Sequence, residues 1–177
     1  MSLSILFGFI LLILNSFPAT NTVSGTDGYE GEYAYYLVGG DAQKFSDVKT
    51  SIKQENKKFV PDILSVSTNA TVTFPNRDKV AHNVYSVEGP MGFFDLGVST
   101  SDQEKTLQMV ISKNGATKIT CAMHPIMKAI IFTVPSKYSD ASRNGRYEIK
   151  NVPSGTYDLM MMNNKGLEKK LKTIVVN

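Results

Sequence analysis

Scarcity is the most informative property of this sequence: its 177 residues include one cysteine, two histidines and no tryptophan. One thiol cannot close an intrachain disulfide, and two imidazoles cannot build a centre that needs three. Multinuclear copper clusters and histidine-rich zinc hydrolase sites are therefore excluded by counting. Charge of one sign is lacking as well, since 19 basic residues against 16 acidic ones leave a formal +3. That excess is scattered, with no basic helix and no aromatic-interleaved basic stripe, so nucleic acid is not expected as a partner. No G-x-G-x-x-G follows a strand-like run and no phosphate loop is present, which leaves nucleotide binding without support. An apolar content of 42% beside 20% charged residues excludes disorder, collagen and coiled coil. The length predicts one domain with at most an appendage.

Only one long hydrophobic run occurs. Leu3 to Leu14 is almost unbroken, stops at Asn15, Ser16 and Pro18, and gives way to small polar residues. This is the layout of a secretory signal peptide, to which residues 1–25 are assigned. At about a dozen residues the run falls short of the roughly 20 that cross a bilayer, which favours cleavage over an anchored form. The expected location is the periplasm. A lipoprotein is excluded, because the sole cysteine lies far downstream at position 121. In an oxidising compartment a lone exposed thiol is a liability, so Cys121 should be deeply buried or bound to something.

After the leader come short runs rich in Val, Ile, Thr, Phe and Tyr, punctuated by Gly, Pro, Asn and Asp, with almost no 3.6-residue period. The reading is all-β. Strands are expected at Tyr33–Val38, Val48–Gln54, Ile63–Ser67, Thr71–Pro75, Asn83–Val87, Thr106–Ile111, Thr117–Cys121, Ala129–Val134, Arg146–Lys150, Thr156–Met162 and Leu171–Val176. Asn114-Gly115 and Asn144-Gly145 mark tight turns. Strands at this spacing predict a Greek-key β-sandwich with a small C-terminal β appendage. The main sandwich is placed at residues 26–137 and the appendage at 138–177, with a soft boundary in the polar stretch Pro135 to Asn144. The appendage is too short to bury a core alone, so it must pack on the sandwich or pair with Tyr33–Val38. Lys169, Lys170 and Lys172 read as a solvated edge strand that resists pairing.

Chemistry concentrates in Thr120-Cys121-Ala122-Met123-His124-Pro125-Ile126-Met127, a C-x2-H-x2-M loop between two apolar strands. The second histidine, His82, lies 39 residues before Cys121, at the start of another expected strand, Asn83–Val87. A strand would throw residues 121, 124 and 127 to different faces, whereas a tight loop stiffened by Pro125 can fold them round one ion. Thiolate, thioether and two imidazoles suit copper, and a His2Cys plane with a weak axial Met is the donor set of blue-copper electron-transfer sites. A closed zinc site is the other metal option, but a thioether is a poor zinc ligand. Taken singly, Cys121 reads equally as a small buried hydrophobe, His82 as a hydrogen-bonded core histidine and Met127 as core filler.

These residues resemble the cupredoxins, the small type 1 blue-copper proteins. The Cys121–Met127 loop is similar to the short ligand loop of amicyanins. Further echoes of a methylamine-utilisation or plastocyanin-like bacterial group run through Phe59-Val60-Pro61, Phe74-Pro75-Asn76-Arg77-Asp78, His82-Asn83-Val84-Tyr85-Ser86 and Phe94-Asp95-Leu96-Gly97. Gly145 to Ile149 and Val152 to Tyr157 resemble a transthyretin-like or carboxypeptidase-regulatory-like segment. The resemblance implies one type 1 copper per chain, with His82, Cys121 and His124 as equatorial ligands and Met127 as axial ligand. It also implies that Asn83 ties the His82 segment to the cysteine loop. Several cupredoxins have Ser or Thr after the Cys to receive that Asn; here Ala122 stands there, so the tie must go elsewhere or be absent.

The function expected is a periplasmic one-electron carrier, monomeric, not an enzyme, with no small-molecule substrate. Its transient redox partner is expected at an apolar patch around His124 formed by Met123, Pro125, Ile126 and the Gly89-Pro90-Met91-Gly92-Phe93 loop. Competing readings are a periplasmic copper carrier using Met160-Met161-Met162 as a second soft site, a thiol enzyme with Cys121 as nucleophile and His124 as base, and a metal-free envelope binding module.

Overall fold

The computed structural model describes residues 20–42, 49–108 and 113–177, and among these there is no helix. Strands stack in four layers, each held to the next by side chains that alternate along the strand. The first layer has β10 (Glu104–Gln108), β7 (Thr71–Pro75) and β3 (Lys49–Ser51), in that order, beside the hairpin of β4 (Lys53–Glu55) and β5 (Lys58–Val60). The second is five-stranded: β6 (Ile63–Ser67), β12 (Lys128–Val134), β11 (Gly115–Thr120), β8 (His82–Glu88) and β9 (Phe94–Ser99). The third orders β13 (Ser139–Ser142), β2 (Tyr33–Val38), β15 (Gly155–Asn163) and β16 (Glu168–Val176). A two-stranded ribbon of β1 (Thr20–Thr26) and β14 (Arg146–Pro153) closes the stack.

Alternation explains why the central strands read as apolar runs. Along β12, Ala129 and Ile131 join Ile52, Val72, Phe74 and Val84 in the core between layers one and two. Its intervening residues Ile130, Phe132 and Val134 meet Ala34, Tyr36 and Met162 between layers two and three. Strand β2 repeats the pattern one layer out, turning Tyr35 and Leu37 toward Tyr147, Ile149 and Val152 of the ribbon. A strand buried on both faces has no polar side to show, hence its unbroken hydrophobicity.

The expected strands at 33–38, 63–67 and 71–75 agree with β2, β6 and β7, and most others differ by a few residues at their ends. Val48 and residues 109–111 of the expected strands lie outside the described residues, as do residues 1–19 of the expected leader. The segment read as one strand over Val48–Gln54 is instead β3 and β4, separated by Ile52, which is buried in the core. The polar stretch Pro135 to Asn144 is not all turn: Ser139–Ser142 forms β13 against β2. Strand β1 occupies residues inside the span assigned to the leader and pairs with β14 along its length.

Residues 138–177 both pair with β2, through β13 and β15, and pack on the five-stranded sheet. Gly145 sustains the turn between β13 and β14: its φ is 69°, and a Cβ there would lie 2.5 Å from Asp27 Oδ1 and 2.6 Å from the Tyr29 carbonyl oxygen. Strand β16 is the edge of its sheet and exposes Lys169, Lys170 and Lys172. The two ends of the described chain meet in the outer layers, where Asn21 Nδ2 donates to the Asn177 carbonyl oxygen at 2.8 Å.

Candidate metal centre

The site forms where two neighbouring strands of the five-stranded sheet end. His82 opens β8 and shares the inner face with Val84, while Cys121 follows β11 on the face of Thr117 and Ile119. The connection from β11 to β12 then turns sharply: the Met127 amide donates to the His124 carbonyl oxygen at 2.8 Å, and the Cys121 amide to the Met127 carbonyl oxygen at 3.3 Å. Thr120 Oγ1 adds a second donor to that carbonyl at 3.1 Å. Closing the loop on itself brings His124 back over Cys121. Met127 lies in the same core cluster as the thiol.

His82 Nδ1 and His124 Nδ1 stand 3.0 Å apart, and Cys121 Sγ lies 4.0 Å from the first and 3.8 Å from the second. A triangle with those sides has its centre about 2.1 Å from each corner, within the roughly 2.0–2.3 Å of ordinary metal bonds to nitrogen and sulfur. Cys121 and Met127 are 1% and 0% exposed and His82 is 0% exposed, whereas His124 is half-buried and reaches the rim. Among the described residues this is the group of His, Cys, Asp or Glu side chains that could hold a metal ion.

Asp78 decides which nitrogen His82 offers. Its Oδ2 lies 2.8 Å from His82 Nε2, so that nitrogen carries the proton and Nδ1 keeps its lone pair for the centre. The carboxylate also accepts the backbone amides of Asn56 at 2.7 Å and Lys57 at 2.8 Å. Burial pushes the Asp78 carboxyl up, but the Lys57 amide, the His82 ring and the Asn56 amide together hold it below the usual carboxylate range. For His124, burial and then the neighbouring His82 and Lys57 push the imidazole below its ordinary value, which favours the neutral ring that a metal needs. Asn76 Nδ2 donates to the carbonyl oxygens of Val80 and Ser99 at 2.9 Å each, and Ser99 Oγ donates to that of His82 at 3.4 Å. The segment entering β8 is thereby fixed from both sides.

The tie from Asn83 exists by another route than a hydroxyl. Its Oδ1 accepts the backbone amide of Ala122 at 2.8 Å, so the side chain at 122 is not required.

No family model and no curated protein matches the sequence. Among solved structures, an amicyanin variant in the Cu(I) state is 21% identical, with a TM-score of 0.45, over 56% of this chain and 98% of its own. A second amicyanin variant, in the reduced state, is 25% identical, with a TM-score of 0.44, over 52% and 90%. A copper-containing nitrite reductase (NirK) from Thermus scotoductus SA-01 is 22% identical, with a TM-score of 0.45, over 55% of this chain and 25% of its own. Among the described residues the sheets pack face to face without a helix, so the architecture is an all-β sandwich.

Two expectations about the surroundings change. The Gly89–Phe93 loop is not part of the surface around His124. It follows β8 at the end opposite His82, roughly 20 Å along the strand, and Pro90 packs on Gly115 at the start of β11, whereas Cys121 follows its end. Phe93 is 74% exposed there, while Met91 packs on the core. The Met160-Met161-Met162 run does not converge either: Met161 faces the ribbon, and Met160 and Met162 face the five-stranded sheet. Sequence reasoning missed Asp78 as a partner of His82, although its position four residues earlier was the available signal.

Proposed function

We propose that this protein is an exported, mononuclear type 1 copper protein that carries one electron at a time. The observation that supports it is the triangle of His82 Nδ1, His124 Nδ1 and Cys121 Sγ, whose centre is a bond length from all three. Copper, when bound, would supply reversible one-electron chemistry in a soft N2S field. Cys121 would bind as thiolate, His82 and His124 through Nδ1, and Met127, in the same core cluster as the thiol, as a weak thioether donor. Three fully buried donors exclude water, and the fourth, His124, gives the electron its way to the surface. Burial of Cys121 to 1% exposure disfavours the thiol-enzyme reading, since a nucleophile needs access.

In this reading the leader ends before Thr20, because β1 is needed to cover the ribbon side of the outer core. Intact mass of the exported protein gives the cleavage point. The test of the centre itself is addition of Cu(II) to the purified apoprotein. An intense visible thiolate-to-copper band should appear and cycle with one electron without copper loss, and Cys121→Ser should abolish it. An unchanged spectrum in that variant overturns the assignment.

A further inference from the structure

The surroundings of His124 carry a charge pattern that bears on its partner, an inference that rests on the copper reading. The centre of this face is apolar: Met123 is 43% exposed, Ile126 79% and Val80 41%, with Pro125 also exposed. The rim is basic. The β4–β5 hairpin turns at Asn56 and Lys57, both in the left-handed region at φ 55° and 54°, and Asp78 captures both amides. Because the same carboxylate touches the His82 ring, the turn is pinned beside the centre. Lys58 comes next along the hairpin, and Arg77 and Lys79 flank Asp78; all are exposed.

Acidic groups neutralise this rim only in part: the exposed Glu55 stands across the hairpin from Lys58. Asp78 is turned inward onto His82 with 13% of its side chain exposed. None of the ion pairs among the described residues involves Lys57, Lys58 or Lys79. Arg77 has Asp102 at 3.8 Å, a loose contact between exposed groups that water screens. Val80 is held in place beside Lys79 by the hydrogen bond from Asn76.

We propose that this face docks an acidic redox protein, whose carboxylates meet Lys57, Lys58, Arg77 and Lys79 while an apolar patch covers Met123, Pro125, Ile126 and Val80. The charges steer the encounter and set its orientation, and the small apolar centre brings the His124 ring edge to the partner without holding it long.

The reduced, copper-loaded protein is mixed in stopped flow with two one-electron oxidants of opposite charge, hexacyanoferrate(III) and tris(phenanthroline)cobalt(III). At about 10 mM ionic strength, where the Debye length is roughly 30 Å, hexacyanoferrate should react faster as salt is lowered. The double variant Lys57→Glu/Lys79→Glu should slow it about tenfold and flatten or invert the salt slope. The control Lys169→Glu/Lys170→Glu, on the edge strand two layers away, should change the rate less than about twofold. Poly-L-glutamate, a redox-silent acidic competitor, should slow the hexacyanoferrate reaction severalfold and poly-L-lysine should not. Equal effects of the two variants, or no protection by polyglutamate, overturn the proposal while the copper reading stands. A protein that binds no copper overturns both.

Discussion

The sharpest test of the site's construction is Asp78, which joins three elements through one carboxylate. It accepts the Asn56 amide at 2.7 Å, the Lys57 amide at 2.8 Å and His82 Nε2 at 2.8 Å. Asp78→Ala removes all three. The two hairpin amides are exposed and regain water, so the lasting loss is the bond to the buried imidazole, about 1.5–3 kcal/mol for a hydrogen bond to a charged group. His82 is then free to exchange tautomers and tilt, and losing such a partner behind a metal-binding histidine lowers affinity about 10–100-fold. Asp78→Asn keeps an oxygen for His82 and loses only the charge and one donor contact, so its defect should be clearly smaller on both counts. Chemical denaturation of the apoproteins gives the stabilities, and competition with a chelator of known strength gives the affinities. If Asp78→Ala is less stable but binds copper within about twofold of the parent, or if the Asn variant equals the Ala variant, the carboxylate does not orient His82 and the argument is wrong.

Other outcomes follow from the same geometry. Met127→Leu nearly conserves volume at a fully buried position, so it should cost less than about 1.5 kcal/mol, keep the visible band and raise the potential measured by voltammetry; a lost band would make Met127 essential to the plane. Phe132→Ala, between layers two and three, should cost about 3–5 kcal/mol in urea denaturation yet leave the copper spectrum intact, and a changed spectrum would show that the third layer shapes the site. Burial, reinforced for Tyr35 by Asp27 and for Tyr36 by Glu168, raises the phenols of Tyr35, Tyr36, Tyr138, Tyr147 and Tyr157 above their ordinary value of 10.0. A raised folded value stabilises below the unfolded value and is lost as pH climbs past it. Stability should therefore hold up to about pH 10 and fall steeply above it, with these phenols ionising together with unfolding in absorbance at 295 nm; ionisation near 10 in an intact fold would refute the linkage.

Much of this was legible because the pattern was local. Doubly buried strands such as β2 and β12 announce themselves as apolar runs, and the spacing of Cys121, His124 and Met127 pointed to a loop that could fold round one ion. What escaped depends on neighbours that a one-dimensional reading does not see. Ser139–Ser142 has no strand-like composition and pairs only because β2 presents a free edge. Within β9, Phe94, Asp95 and Leu96 alternate, but Gly97 at φ 72° is followed by an exposed Val98 and breaks the pattern. The Asn83 contact uses the amide of residue 122, which every residue but proline supplies, so no side-chain pattern could reveal it. The Gly89–Phe93 loop was misplaced for a similar reason, since apolar character says nothing of which end of a strand it caps.

The hydrogen bond between Asn21 and Asn177 has a practical corollary. A short flexible linker could join Asn21 to Asn177 and let the polypeptide be opened elsewhere, for instance in the polar turn before Gly145, as circular permutation requires. Fusions or surface immobilisation through Asn21 or Asn177 would emerge from one corner of the described fold, beside its outermost strands. A reporter or electrode attached there would leave the ring of His124 facing solution.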